Sequence, residues 1–286
     1  MNFFMPRNLE ELADALKEKD ENTYLCAGGT DLVIHLRARK KFHYSLIDLT
    51  HLEEIKKIEE IQDEILIGAA VTMTQLEKSP VIRKYIPALA KAASMVGSTQ
   101  IRNRATVGGN VANASQSSDT TPVLLAYGAE AVVYNEKGEK RTAPVDDLIE
   151  GLEKNLLKDR EMLLQFVVKK GTARSGFAKV GSRKAVTISK INGCVKTELI
   201  DGKMQQATVY LGAVGAKASR APLIEEALEG ESPADICMEK LKEAVYGQIE
   251  ANIPTRASKH YKKSAALGLM DDILEDLRAD AGEVER

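Results

Sequence analysis

The stretch ATVGGNVANASQSSDTTPVLLAYGA, residues 105–129, indicates most about the fold of this 286-residue chain. Asp119 is its single charged residue, whereas 29% of the whole chain is charged, which predicts about seven charges in a segment of this length. Glycine, alanine, serine, threonine and asparagine take their place. Neutral N–H and O–H groups stabilise buried phosphate oxygens without the desolvation of a cation. The stretch therefore favours a binding segment over a plain surface loop.

Two glycine pairs are the most specific features for ligand binding. Gly108-Gly109 lies inside the neutral stretch, and Gly28-Gly29 lies between a predicted strand and a predicted helix. Glycine lets an anion touch the backbone, so two such turns suit a diphosphate held from both sides. A structural alternative for the first pair is a tight turn capped by Thr30.

Asp119 has two interpretations from the residues alone. Its carboxylate could accept hydrogen bonds from sugar-like hydroxyl groups. Alternatively, it caps a helix that begins near Thr121-Pro122, a common position for aspartate.

Periodicity predicts three successive α/β or α+β units. Strands are expected at residues 2–5, 23–27 and 44–49, with a helix capped by Asn8. Thr72 and Gln75 have the spacing of a capping box. Further predictions are one helix over residues 80–96, a hairpin over 131–142, a strand over 161–169, a linker over 171–176, a helix over 185–192, strands over 195–200 and 206–213, and a mostly helical end.

Composition excludes several classes of protein. Forty basic against 42 acidic residues, without a one-signed block, argue against nucleic acid as a partner. No apolar stretch is long enough for a membrane span, and three dispersed cysteines argue for a cytoplasmic chain without disulfides. The four histidines have no metal-binding spacing, and GxGxxG, GxxxxGK[ST] and GxSxG are absent, so no metal site and no catalytic side chain is expected. If the chain is an enzyme, a cofactor does the chemistry.

Four ordered motifs resemble the flavin-binding medium subunit of molybdenum hydroxylases, such as xanthine, nicotinate and carbon monoxide dehydrogenases. The pattern AGGTDL is met by residues 27–32, and QIRNxATxGGNxxNASPxxD by residues 100–119, with Gln116 where proline is usual. FxKxGxRxAxxIxxxN is met by residues 177–192, and residues 254–263 look like the closing segment VRxSxxYRR. The resemblance extends almost from end to end.

The resemblance implies an α+β fold of the PCMH or vanillyl-alcohol oxidase type. An FAD-binding domain, residues 1–170, would consist of lobes at about 1–53 and 54–170. Residues 171–286 would form a C-terminal α+β domain like that of the carbon monoxide dehydrogenase flavoprotein. FAD would lie between the first two lobes.

The resemblance also implies which residues bind FAD. Residues 25–32 would wrap the diphosphate, Gly97 and residues 106–110 would complete that cradle, and Asp119 would bind ribityl or ribose hydroxyls. Leu163 and Lys179 would face the isoalloxazine, where an ammonium stabilises the negative charge of reduced flavin. A solvent-exposed strand lysine is the alternative for Lys179. The complete set is Leu25, Cys26, Ala27, Gly28, Gly29, Thr30, Asp31, Leu32, Gly97, Thr106, Gly108, Gly109, Asn110, Asp119, Leu163 and Lys179.

The function implied by the resemblance is electron transfer. Iron-sulfur clusters on a small partner subunit, supplied by a molybdopterin-containing large subunit, would reduce FAD, and NAD would be the acceptor. The substrate, a purine such as xanthine, would be oxidised on a different chain. Two alternatives stay open: a self-sufficient FAD oxidoreductase of the same fold, and a non-catalytic module whose glycine loops hold a phosphorylated ligand or only shape turns.

Overall fold

The structure of the chain, a computed structural model, describes residues 2–282. Residue 1 and residues 283–286, which belong to the predicted first and last domains, lie outside the described residues. Between residues 2 and 282, helices pack against sheets of three, five and four strands, and a fourth sheet has two. This architecture confirms the α+β class. No helix in this range is long and apolar enough to cross a membrane.

The first sheet is parallel, with the strand order β1-β3-β2. Helix α1 begins as expected, because the Asn8 side chain accepts a hydrogen bond from the Glu11 N–H at 2.9 Å. It places Leu12 and Leu16 in one core with Ile47. The elements are β1 (Phe3–Phe4), α1 (Leu9–Lys17), β2 (Thr23–Cys26), α2 (Leu32–Ala38) and β3 (Ser45–Asp48), followed by the 3₁₀ turns Leu49–His51 and Glu53–Ile55.

The second sheet is antiparallel, with the order β4-β5-β10-β6-β7. Between β5 and β6 the chain forms six short helices, and the predicted capping box of Thr72 and Gln75 is present at the first of them. The elements are β4 (Ile58–Ile61), β5 (Glu64–Gly68), α3 (Met73–Lys78), α4 (Pro80–Tyr85), α5 (Pro87–Ser94), α6 (Thr99–Arg102), α7 (Val107–Ala112), α8 (Thr121–Ala126), β6 (Glu130–Asn135), β7 (Lys140–Pro144), a 3₁₀ turn (Val145–Leu148), β8 (Ile149–Gly151), β9 (Lys154–Asn155) and β10 (Glu161–Lys169).

Strand β10 connects two cores. Met162 and Leu164 belong to the core of the first sheet, whereas Leu163, Phe166 and Val168 belong to the core under the six helices. The pairing of β10 with β6 shifts register between residues 163 and 165. Such a bulge reverses which face later residues occupy, so Leu163 shares its face with Phe166 and Val168 beyond the bulge.

The third large sheet has the order β11-β12-β13-β14, and all its pairings are antiparallel. Helix α11 packs on β11 and β12, and its Leu269, Ile273 and Leu277 are fully buried. The elements are β11 (Arg174–Val180), β12 (Ile191–Ile200), β13 (Lys203–Gly212), β14 (Ser219–Arg220), α9 (Pro222–Leu228), α10 (Met238–Asn252) and α11 (Lys259–Gly282). The boundary near residue 170 stays our proposal.

Three secondary-structure predictions are wrong. The linker expected over residues 171–176 is shorter, because Arg174 already begins β11 and pairs with Thr197 of β12. The single helix expected over residues 80–96 is two helices, because Pro87 cannot donate to the preceding turn and starts a new helix. The helix expected over residues 185–192 is instead a loop that leads into β12 at Ile191. Val186, Thr187 and Ile188 are β-branched, and Val186 has a φ of 53°, so the local preference for helix is weak.

Candidate functional site

A cleft of about 430 Å³ separates the first sheet from the helices of the second lobe. On one side lies the loop after β2, and on the other lies the start of α7. Predicted residues that line it are Leu25, Cys26, Ala27, Gly28, Gly29, Thr30, Asp31, Leu32, Thr106, Gly109 and Asn110. The structure therefore brings the two glycine segments together.

The first glycine segment has backbone donors available to a ligand. Gly29 has a φ of 71°, a left-handed conformation that turns the chain from β2 into α2. Within the described part of the chain, an acceptor is absent for the successive backbone N–H groups of Gly28, Gly29, Thr30, Asp31 and Leu32. Because successive N–H groups at a glycine turn form an anion-binding concavity, this donor set fits the diphosphate of FAD.

The second glycine segment is different, because its backbone donors are already used. The N–H groups of Val107, Gly108 and Asn110 donate to Val71, Ala69 and Thr106 carbonyls, respectively. The Gly109 N–H donates to the Thr106 hydroxyl at 3.1 Å. This segment is a closely packed wall of the cleft, and it offers a ligand surface and side chains in place of backbone N–H groups.

Contact between the walls explains why Gly28 is a glycine. A Cβ atom on Gly28 would lie 2.0 Å from the Arg104 carbonyl oxygen, far inside van der Waals contact. The loop after β2 can therefore lie against the second lobe only without a side chain at this position. Gly108 is similar, since a Cβ there would lie 2.6 Å from the Ala69 Cβ.

Asn110 links the cleft to a buried polar cluster. Its Oδ1 accepts hydrogen bonds from the Ser118 hydroxyl at 2.5 Å and the Thr120 hydroxyl at 2.7 Å. These two bonds fix the orientation of the amide and leave its Nδ2 group without an acceptor among the described residues. Asn110 thus presents a neutral donor at the wall of the cleft.

Asp119 and Lys179 form the centre of that cluster. Lys179 Nζ lies 2.6 Å from Asp119 Oδ2, and the two side chains are only 5% and 7% exposed. The ammonium also donates to the Met95 carbonyl at 2.8 Å and the Thr187 carbonyl at 3.2 Å. Asp119 Oδ1 accepts from the Ser189 hydroxyl and from Asn192 Nδ2. The pair is buried, and all three N–H bonds of the ammonium are used.

Two structural alternatives for these residues are wrong. Asp119 does not cap helix α8, whose N-cap is Thr120, because its carboxylate is committed to Lys179. Lys179 is not a solvent-exposed strand lysine. The alternative of a turn capped by Thr30 is also wrong, since α2 has Asp31 at the N-cap and no side-chain cap.

The remaining predicted residues lie around the cleft. Gly108 and Leu163 line an adjoining apolar cavity of about 100 Å³, which shares Leu25, Ala27 and Gly109 with the cleft. Gly97 lies outside these cavities. Its φ of 49° ends the turn after α5, two residues beyond the Met95 carbonyl that accepts from Lys179.

Sequence reasoning missed several polar residues of the cleft, among them His35, Arg39, Glu153 and Asn155. Arg39 follows Leu32 and Leu36 at helical spacing, which is the signal that places it on the same side. The residues 153 and 155 come from a distant hairpin and carry no such signal. Burial raises the pKa of the Cys26 thiol, so it stays protonated at neutral pH.

The chain is a flavoprotein with an α+β fold, as its similarity to two families shows. The family described as FAD binding domain in molybdopterin dehydrogenase matches residues 1–168, and CO dehydrogenase flavoprotein C-terminal domain matches residues 177–277. The chain belongs to the family of FAD-binding subunits of molybdopterin dehydrogenases. It is an oxidoreductase component, and its cofactor is FAD.

Relatives match over nearly the full length. The chain is 32% identical to the nicotinate dehydrogenase FAD-subunit of Eubacterium barkeri, over 98% of both chains. It is 29% identical to a putative xanthine dehydrogenase FAD-binding subunit of Escherichia coli, over 95% of this chain and 94% of that one. A chain of carbon monoxide dehydrogenase from Hydrogenophaga pseudoflava superposes with a TM-score of 0.85 at 25% identity, with 98% and 97% of the chains covered. These similarities confirm the family and the fold.

Proposed function

We propose that the chain is the electron-transfer subunit of a molybdenum hydroxylase complex. Iron-sulfur clusters of a small partner subunit would reduce its FAD, and a molybdopterin-containing large subunit would oxidise the substrate. The names of the relatives support this proposal, since they are FAD subunits of nicotinate and xanthine dehydrogenases.

The observation that carries the proposal is the set of unpaired backbone N–H groups along the cleft. We propose that the N–H groups of residues 28–32 hold the FAD diphosphate, with the Asn110 Nδ2 group as a further donor from the opposite wall. Neutral donors hold phosphate oxygens without the desolvation of another charge. The apolar cavity beside Leu163 has the chemistry that the flavin ring requires.

Asp119 and Lys179 are proposed to act at the flavin end of the site. All three Lys179 N–H bonds have acceptors within the protein. Its ammonium would therefore influence the ring through space, from a position fixed by these three acceptors. Bound FAD supplies the electron-carrying chemistry. The chain's own residues orient it, exclude water and set the local charge.

The electron acceptor is proposed to be NAD, and the substrate of the complex a purine such as xanthine. Nicotinate is a second candidate substrate. The relative named for nicotinate is 32% identical to this chain, and the relative named for xanthine is 29% identical. A cytoplasmic location is proposed as well. The free thiols of Cys26, Cys194 and Cys237 agree with a reducing compartment.

Absorption spectroscopy of the purified chain tests the proposal first. We expect the two visible bands of oxidised flavin, release of FAD on denaturation, and bleaching by NADH. A colourless chain that does not bind added FAD would overturn the proposed site. If NADH cannot reduce the bound flavin, NAD is excluded as the electron acceptor and another acceptor must be sought.

Copurification separates the complex from a self-sufficient FAD oxidoreductase. A tagged chain, expressed in its native host, should retain one smaller and one larger subunit, with iron, sulfide and molybdenum in the eluate. A chain that turns over a small substrate alone would favour the self-sufficient enzyme.

A further inference from the structure

A second polar pocket, of about 330 Å³, lies beside the Asp119 cluster and under the start of helix α11. It is separate from the cleft between the lobes. Its lining contains the cationic side chains of Lys190, Arg256 and Lys262, and the hydroxyls of Ser117 and Ser258. No carboxylate of the described part of the chain lines it. Three cationic side chains around one pocket, without a neutralising carboxylate in its lining, produce a positive potential that favours binding of an anion.

Lys262 is the buried member of this group. It is 9% exposed, and its ammonium donates to the Ala213 carbonyl, which leaves two N–H bonds. Neither Lys262 nor Arg256 has a salt bridge among the described residues. Burial, and then the Arg256 guanidinium, lower the pKa of Lys262. An anion in the pocket would oppose both effects.

Lys190 and Arg256 complete the cationic wall. Lys190 Nζ lies 5.3 Å from the centroid of the Tyr261 ring, a contact that holds the ammonium near the pocket. Arg256 is exposed at the rim and has its planar guanidinium free, the group best suited to bind two oxygens of one phosphate.

Gln116 also lines the pocket, and its side chain has an unsatisfied acceptor. Its Oε1 atom is buried and has no hydrogen-bond partner among residues 2–282, and the backbone is fixed because the Gln116 carbonyl accepts from the Ala213 N–H at 2.7 Å. A buried acceptor without a donor is costly, and a ligand hydroxyl would satisfy it.

We propose that this pocket binds a hydroxyl-bearing organic phosphate, with its phosphate on Lys190, Arg256 and Lys262 and a hydroxyl on Gln116 Oε1. Nucleotides belong to this chemical class. The pocket communicates with the flavin end of the proposed site, because Ser189 lines it and donates to Asp119 Oδ1 at 2.6 Å. If the proposed NAD acceptor is correct, the pocket is positioned to hold its phosphate; only this link rests on the proposed function.

Calorimetric titration of the FAD-loaded chain with ADP-ribose tests the pocket. Saturation with FAD blocks the cleft, and ADP-ribose has phosphates and hydroxyls without a nicotinamide ring. Arg256→Gln should weaken binding about tenfold, the usual loss for one charged hydrogen bond. Lys262→Met should weaken it at least as much. Arg7→Gln, the same change at an exposed arginine of the first lobe, should leave it unchanged.

Inorganic phosphate distinguishes the two halves of the ligand. Gln116→Met should weaken ADP-ribose binding and leave phosphate binding unchanged, whereas Arg256→Gln should weaken both. Equal loss for both probes in Gln116→Met would overturn the role of the hydroxyl.

The pocket is refuted if the wild-type chain binds ADP-ribose no tighter than about 1 mM, or if Arg256→Gln and wild type bind it equally. Should Lys262→Met fail to fold, the exposed Arg256 side chain decides the outcome. Arg256-dependent binding to a chain that cannot take up FAD would support this pocket while overturning the proposed function.

Discussion

The loop after β2 and the Asp119 cluster are built on opposite principles. Along the loop, five consecutive backbone N–H groups have no acceptor among the described residues. In the cluster, the buried Asp119–Lys179 pair has its ammonium donors fully used and both carboxylate oxygens bonded. One region keeps its hydrogen-bonding capacity for a ligand, and the other uses it to hold the protein together.

This difference teaches that the proposed ligand site combines residues whose loss would have different consequences. Removing a donor from an open cleft weakens ligand binding but changes stability little, because water can solvate the groups that remain. Removing one partner from a buried pair leaves an uncompensated charge, which costs folding free energy. Stability and flavin affinity must therefore be measured separately for each variant.

Asp119→Ala should have the largest effect. It leaves the Lys179 ammonium buried with only two carbonyl acceptors, and we expect the free energy of unfolding to fall by about 3–5 kcal/mol. Urea denaturation of the FAD-free chain measures this loss, and the released flavin measures retention. If stability stays within about 1 kcal/mol of wild type, the pair is not the structural unit we describe.

The double variant Asp119→Leu/Lys179→Met is the control for that experiment. It removes both charges, so the penalty of an unpaired ion disappears. We expect it to be more stable than Asp119→Ala, although flavin binding stays weak. If the two variants are equally unstable, the loss of unfolding free energy comes from altered packing and not from an unpaired charge.

Gly28→Ala should follow in size. The new Cβ would meet the Arg104 carbonyl oxygen at 2.0 Å, so the loop must move away from the second lobe. We expect a loss of about 1–3 kcal/mol in unfolding free energy, together with weaker FAD binding. Gly171→Ala is the matched control, because its nearest neighbour would be 4.0 Å away. Equal behaviour of the two variants would contradict the close approach.

Asn110→Asp isolates the proposed donor to the diphosphate. The carboxylate still accepts from the hydroxyls of Ser118 and Thr120, so stability should change little. The Nδ2 donor becomes an anionic oxygen that repels phosphate, and we expect FAD affinity to fall about tenfold or more. Fluorescence titration with FAD measures it. Unchanged affinity would remove Asn110 from the site.

The architecture and the cleft were predictable because their signals are local or ordered along the chain. A glycine pair between a strand and a helix, and the neutral stretch that contains Asp119, identified both walls. What the sequence could not show is which donors are already used. The N–H groups of residues 107–110 look as available as those of residues 28–32, and only their pairing with Ala69, Val71 and Thr106 distinguishes them.

Long-range pairing explains the other misses too. The bond between Asp119 and Lys179 joins residues 60 positions apart, so periodicity carries no trace of it. The helix expected over residues 185–192 rests on helical apolar spacing, whereas the β-branched residues of this segment and the tertiary contacts of Thr187 favour a loop that enters β12 at Ile191. These errors lie beside the proposed flavin site.

Glu250→Gln should have the smallest effect, and it tests whether burial makes the Asp119 pair important. Glu250 is 46% exposed and has ammonium groups of Lys259 and Lys263 at 2.7 Å each, which lower its pKa to about 2. Because this lies below its ordinary value of 4.5, the contribution to stability is complete above that pH and disappears as pH falls towards 2. We expect a slight change in Tm at pH 7 that shrinks further in high salt, since exposed charges are screened. A loss comparable to that of Asp119→Ala would show that the number of bonds, rather than burial, determines the strength of these ion pairs.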